Sequence, residues 1–106
     1  MLLQKGMKED YGEEKVAKVR TSYLAMFSEV TGRDSDIVVL DQPTLGRLVE
    51  TVGNKYGPKF REALFDPDTD EFMPGVAVLV NGRRLPLDAK LNDGDEVAFL
   101  VAYAGG

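Results

Sequence analysis

The residue types that most often carry chemistry are sparse in this 106-residue sequence. It contains no cysteine and no histidine. That removes a thiolate nucleophile, a disulfide framework, Cys/His zinc sites and cysteine-ligated iron–sulfur clusters. It also removes the side chain whose free pKa lies nearest neutrality. Acid–base catalysis would fall to carboxylates, lysines or tyrosines with displaced pKa values, and no credible nucleophile–base pair stands out. Asp66, Asp68 and Asp70 alternate as at the start of a calcium loop. The glycine and the distal bidentate glutamate of such a loop are missing, so residues 66–74 read as a solvated acidic connection with no metal. What remains is a main-chain group, the α-carboxylate of the terminal Gly105-Gly106 pair. With a pKa of roughly 3.5 it is an anion at neutral pH and a poor electrophile. Two glycines end a chain by chance about once in 200 sequences at a background usage of roughly 7%, which argues against coincidence. Gly106 has no Cβ to crowd its carbonyl, and Gly105 allows backbone angles that let a tail thread a narrow channel.

Such an end must be held by a folded body, and the sequence specifies one. Residues 16–25 alternate as a first strand, with Ala17, Val19, Thr21 and Tyr23 on one face and Lys18, Arg20, Ser22 and Leu24 on the other. Leu24 is the apolar exception on its face. Phe27 and Val30 fall in a short helical turn that ends at Gly32. The run Arg33-Asp34-Ser35-Asp36 reads as a turn, and residues 37–40 as a second strand paired with the first. Thr44 stands where a helix N-cap belongs. Leu45, Leu48, Val49, Val52 and Tyr56 then trace one helical face, closed by Gly57-Pro58. Gly46 and Gly53 weaken that helix, so packing on a sheet must stabilise it. A second helical turn carries Phe60 and Leu64. Residues 76–80 form an apolar strand, and Asn81-Gly82 is a type I′ hairpin signal. Residues 83–87 make a short return strand, with Pro86 at an edge or an end. Asn92-Asp93-Gly94 makes a second tight turn into a last strand over 95–103. There Val97, Phe99 and Val101 face one way and Ala98, Leu100 and Ala102 the other.

The order is strand, strand, helix, strand, short strand, strand, with two hairpins flanking one main helix. The expected fold class is α+β: a mixed sheet with the helix across one face, as in a β-grasp. One domain is expected over 15–103, with a flexible arm at 1–14 and a flexible tail at 104–106. The apolar fraction of 43% marks a globular chain, not a disordered one. A net charge of −5 disfavours nucleic acid held by bulk electrostatics. No apolar run approaches the roughly 20 residues that span a bilayer, and residues 1–15 lack a signal-peptide core. The expected location is cytoplasmic.

Three stretches together resemble the MoaD/ThiS family of ubiquitin-like sulfur carriers and the small archaeal modifier proteins. They are Val78-Leu79-Val80-Asn81-Gly82-Arg83, then residues 91–100 with Asn92-Asp93-Gly94-Asp95-Glu96-Val97, then Gly105-Gly106. The resemblance covers residues 16–106. It implies a carrier and not an enzyme, with no cofactor of its own. An adenylating partner of the MoeB/ThiF/ubiquitin-activating type would join the Gly106 carboxylate to AMP. Sulfur would then displace AMP to give a thiocarboxylate, or a lysine amine would accept the acyl group as an isopeptide. The sequence has no phosphate-cradling GxxxxGK[ST] loop, so ATP would be bound by that partner. A molybdopterin-synthase large subunit (MoaE-like) or lysines of target proteins would be the acceptors. The arm precedes the usual start, and residues 101–104 read Val-Ala-Tyr-Ala where molybdopterin-synthase small subunits often carry prolines. The acidic loop at 66–74 and the absence of prolines in the tail tilt the reading toward an archaeal-type modifier or dual-use carrier. An interaction domain with no chemistry at its terminus is the alternative. The expected docking surface comprises Leu24, Ala98, Leu100, Ala102 and Tyr103 beside the tail, with Arg83 and Arg84 at the hairpin. Lys55 and Lys59 are attachment sites or solvated charges.

Overall fold

The structure, a computed structural model, describes residues 16–102. The expectations for the arm, for Tyr103 and for the Gly105-Gly106 tail fall outside those residues. Strand β1 (Ala17–Tyr23) pairs antiparallel with β2 (Ser35–Leu40) and parallel with β5 (Glu96–Val101). Strand β3 (Val76–Val80) lies antiparallel to β5 and carries the two-residue β4 (Arg83–Arg84) at its far side. The sheet order is β2-β1-β5-β3-β4. This is the expected mixed sheet, with the last strand at its centre.

The alternation of β1 places Ala17, Val19, Thr21 and Tyr23 in the core, because successive side chains point to opposite faces. Helix α1 (Met26–Thr31) follows a sharp corner at Ala25, whose φ of 53° is a conformation usually left to glycine. Gly32 ends α1 in the left-handed region. Helix α2 (Leu45–Tyr56) starts where the Thr44 hydroxyl oxygen accepts a hydrogen bond from the Arg47 N–H at 3.1 Å. It then lays Leu45, Leu48, Val49 and Val52 on the sheet, in one core with Val19, Val78, Val80 and Phe99. Burying each such side chain is worth about 1.5–3 kcal/mol. Helix α3 (Pro58–Leu64) buries Phe60 and Leu64. Phe60 meets Phe99 and Phe27 with ring centroids 5.5 and 5.7 Å apart, tying α3 and α1 to the central strand.

The two helical glycines have a packing role. A Cβ on Gly46 would stand 3.2 Å from the Leu87 carbonyl oxygen, and one on Gly53 3.2 Å from Arg61 Nε. Bare backbone at these positions lets the segment after β4 and the side chain of α3 lie close against α2. Three expectations are corrected. Asp36 is not in a turn: β2 begins at Ser35, and Asp36 is buried within it. The return strand is two residues and not five, since Pro86 has no N–H for a ladder. Gly57 takes positive φ but extended ψ (86°, −163°), because the chain must turn straight into α3 and not simply stop.

Candidate functional site

The residues that carry the family resemblance turn out to be braces. Asn81 and Gly82 both have positive φ, as a type I′ turn needs. The Asn81 side chain receives the Glu96 N–H at 3.0 Å and donates to Asp95 Oδ1 at 2.9 Å. Asp95 Oδ2 accepts the Asn92 N–H at 2.7 Å. Asp93 Oδ1 accepts the Lys18 N–H at 2.8 Å, and the Gly94 N–H donates to the Lys18 carbonyl at 2.9 Å. Two turns distant in sequence are thereby locked to each other and to β1 at the entry of β5. No group of three or more metal-ligating side chains occurs among the described residues.

The other end of β5 is where the chain leaves the sheet toward the diglycine. Phe99 O accepts the Leu24 N–H at 3.0 Å, and the Ala102 N–H donates to Gly75 O at 2.6 Å. Strand β5 is therefore held from both sides as far as Phe99, and from the β3 side alone up to Ala102. The parallel register pairs Ser22 with Ala98 and Tyr23 with Phe99, which sets Leu24 beside Leu100 on the open face of the sheet. Ala77, paired with Leu100, and Leu79, paired with Ala98, share that face. Leu24 is 46% exposed, Ala98 and Leu100 are half-buried, and Ala102 is exposed. The structure thus gathers four of the expected docking residues at the end of the sheet from which the tail departs. Arg83 and Arg84 are exposed but sit at the opposite end of β3. Arg84 shares the open face through its pairing with Leu79, whereas Arg83 pairs with Val80 on the core side. Arg84 therefore borders the patch through Leu79, while Arg83 lies on the core side.

Sequence reasoning missed a polar centre on the core face at this same end. The Asp36 carboxylate accepts from Tyr23 Oη at 2.9 Å, Tyr56 Oη at 2.5 Å, Lys55 Nζ at 3.3 Å and Arg33 Nε at 2.9 Å. Thr21, fully buried, donates its hydroxyl to Tyr23 Oη at 2.9 Å. Burial alone would raise the pKa of Asp36. The hydrogen bonds from Tyr56, Tyr23 and Lys55, with the Lys55 charge, outweigh it and hold the carboxyl below its ordinary 3.8. Burial, then the adjacent Asp36, push both tyrosines up. The network pins the C-terminal turn of α2 to β2 and β1. Lys55 is engaged with Asp36 and lies 5.3 Å from the Tyr56 ring centroid, with its side chain 55% exposed. Lys59 is exposed. The only hint in the sequence was that Tyr23 and Tyr56 both fall on core faces, where a hydroxyl needs a partner.

With this geometry in place, comparison with known proteins identifies the architecture. The sequence profile of the ThiS family matches residues 22–106. No curated protein sequence matches significantly. Among solved structures, small archaeal modifier protein 1 (SAMP1) of Haloferax volcanii superposes with a TM-score of 0.73 at 25% identity, covering 85% of this chain and 100% of that one. A protein described as subunit 1 of a molybdopterin converting factor from Pyrococcus furiosus gives 0.68 at 29% identity, covering 82% and 99%. Urm1 of Trypanosoma brucei gives 0.60 at 25% identity, covering 86% and 97%. The order of strands, the helix packed across them and a family match that runs through the diglycine agree: the chain belongs to the ThiS family, with the ubiquitin-like β-grasp fold of small carrier and modifier proteins.

Proposed function

We propose that this protein acts through the Gly106 carboxylate, which a partner enzyme adenylates and which sulfur or a lysine amine then converts to a thiocarboxylate or an isopeptide, with AMP as the leaving group. The observation that carries this reading is that the family match extends to residue 106 and so includes the diglycine. It is supported by the position of β5, a central strand bonded on both edges that delivers the chain to its last residues from a rigid body.

Chemically, the carboxylate oxygen attacks the α-phosphorus of ATP on the partner and expels pyrophosphate, giving an acyl-adenylate. A hydrosulfide equivalent, or a lysine amine, then adds to the Gly106 carbonyl, and AMP departs with the C–O electron pair. The partner is an adenylating enzyme of the MoeB/ThiF/ubiquitin-activating type, which supplies the ATP site. The acceptor is a molybdopterin-synthase large subunit or target lysines. Within this reading the domain itself does no catalysis. Ordering the tail in the partner's channel costs about 1–2 kcal/mol per residue, and burial of the Leu24, Ala98 and Leu100 patch offsets it.

The test uses ATP–pyrophosphate exchange and intact mass after incubation with activating enzyme, ATP and a sulfur donor. The full chain supports exchange and gains the mass of one sulfur-for-oxygen replacement. Deleting Gly105 and Gly106, or adding one residue beyond Gly106, abolishes both with thermal stability unchanged; Gly106→Ala weakens both. Sulfur transfer or conjugation by the truncated protein would refute the proposal.

A further inference from the structure

The open edge of the sheet at β2 has a feature that tail chemistry does not use. Tyr23 N–H donates to Asp34 O at 2.8 Å, which fixes the phase of the β1–β2 ladder. In an antiparallel ladder, residues alternate between directing both backbone groups to the neighbour and directing both away. Asp36, Val38 and Leu40 therefore turn theirs toward β1, through their pairing with Thr21, Val19 and Ala17. Ser35, Ile37 and Val39 turn theirs to the open edge. The Ser35 carbonyl is occupied there by Arg33 Nε at 3.3 Å. The N–H and C=O groups of Ile37 and Val39 have no partner among the described residues.

The side chains of these same two residues are the most exposed large apolar groups described, at 59% and 62%. They lie on the open face of the sheet, beside Arg20 and Lys18 of β1. A free edge with two β-branched residues invites another strand. Of the devices that blunt an edge, β2 has one inward-pointing charge, Asp36, which its own hydrogen bonds satisfy; the strand contains no proline, no lysine and no glycine.

We propose that this edge pairs with the same edge of a second copy, giving a two-fold symmetric dimer with one continuous ten-stranded sheet. The strand is self-complementary. In the antiparallel register that sets Ile37 opposite Val39 of the other copy, the four free backbone groups on each side meet each other and make four hydrogen bonds. Ile37 and Val39 of both copies then form an apolar quartet on the open face, with Lys18 and Arg20 of each copy outside it. The strand is also flanked by opposite charges, Arg33 before it and Asp41 after it. In that register Asp41 of each copy stands opposite Ser35 of the other, two residues along from Arg33. A two-fold interface of this kind repeats every contact twice. Only one short strand per copy is covered, so the dimer is weak, with a dissociation constant between about 10 μM and 1 mM. It leaves the Leu24–Leu100 patch free, because Leu100 is on β5, separated from the β2 edge by β1, and Leu24 follows the far end of β1.

The test is sedimentation equilibrium on the full chain from about 10 μM to 1 mM, the span over which such a dissociation constant is populated. The mass should climb from one 11.7 kDa chain toward two. Val39→Lys should weaken association at least tenfold with an unchanged circular dichroism spectrum, since the side chain is in solvent. Amide exchange gives a second readout. The Ile37 and Val39 amides should become protected as concentration rises, while those of α2 stay constant. A protein monomeric throughout this range overturns the proposal, whether residues 1–15 of its own chain cover the edge or a strand of a different protein is its occupant. Association that survives Val39→Lys, or protection that does not change with concentration, overturns it equally.

Discussion

Replacing Asp36 with Asn changes two atoms' worth of chemistry at a buried junction of three elements. The carboxylate Oδ2 accepts from Tyr23 and Tyr56, and Oδ1 accepts from Lys55 and Arg33. Asn keeps one oxygen for the tyrosines but presents an NH2 to the two cations. The Lys55 and Arg33 side chains are 55% and 58% exposed, so solvent screens each contact to about 0–1 kcal/mol. The tyrosine bonds are enclosed. Each drops from a bond to a charged acceptor, about 1.5–3 kcal/mol, to a neutral one near 0.5–1.5 kcal/mol. The expected loss is about 2–4 kcal/mol at pH 7, at least about 8 °C in Tm for a domain of this size. The pH dependence has a definite sign. The folded pKa of Asp36 lies below the ordinary 3.8, so its stabilising contribution is complete above that value and disappears as pH falls through the folded pKa. Urea titrations of wild type and Asp36→Asn should show a constant gap from pH 7 to about 5 that narrows below 3.8. A gap under about 0.5 kcal/mol at pH 7 would mean that the network is decorative. A gap that persists unchanged in acid would mean that the charge of Asp36 contributes nothing.

Leu48→Ala should cost about 2–5 kcal/mol by urea titration, because Leu48 is fully buried in the main core; a cost near zero would show the helix face misassigned. Gly53→Ala should gain part of the roughly 1 kcal/mol helix preference of alanine, since the obstructing group is the flexible Arg61 side chain. Gly46→Ala should gain less or lose stability, because there the obstruction is the Leu87 backbone carbonyl that also accepts the Gly46 N–H at 2.8 Å. Calorimetry that ranks them the other way would refute the close-approach argument. Leu100→Asp, on the open face, should leave the domain folded and weaken its affinity for the activating enzyme in titration calorimetry. Unfolding, or unchanged affinity, would remove the patch from the docking surface.

Much of this architecture was legible because local and global preferences coincide. The strict alternation of β1, the heptad-like face of α2, its Thr44 cap and the Asn81-Gly82 turn each point to one structure, and the structure adopts it. The apolar outward face of β5 was also readable, since Ala98, Leu100 and Ala102 break the polar pattern expected of a solvated surface. Asp36 was misread because Arg-Asp-Ser-Asp is turn chemistry by composition. Its place in a strand depends on Tyr23 on the neighbouring strand and Tyr56 on α2, partners that no local window contains. The edge exposure of Ile37 and Val39 was hidden for a related reason. A run of β-branched residues looks the same in a central strand as in an outer one, and only the parallel pairing of β1 with β5 makes β2 the border.

The central place of β5 also governs how the molecule comes into being. Its neighbours are β1, from the start of the described chain, and β3, so the sheet has no middle until the last strand arrives. Contacts between such distant segments are slow to form, since a long loop must close first. During synthesis the β1–β2 hairpin and the helices emerge early, yet Val19, Val78 and Phe60 stay uncovered until Val97 and Phe99 leave the ribosome. The diglycine follows directly behind the strand that seals the core. A ribosome that stalls short of β5 leaves a chain with no closed interior, exposed to chaperones and proteases. Completion of the fold and synthesis of Gly105-Gly106 are thus nearly the same event.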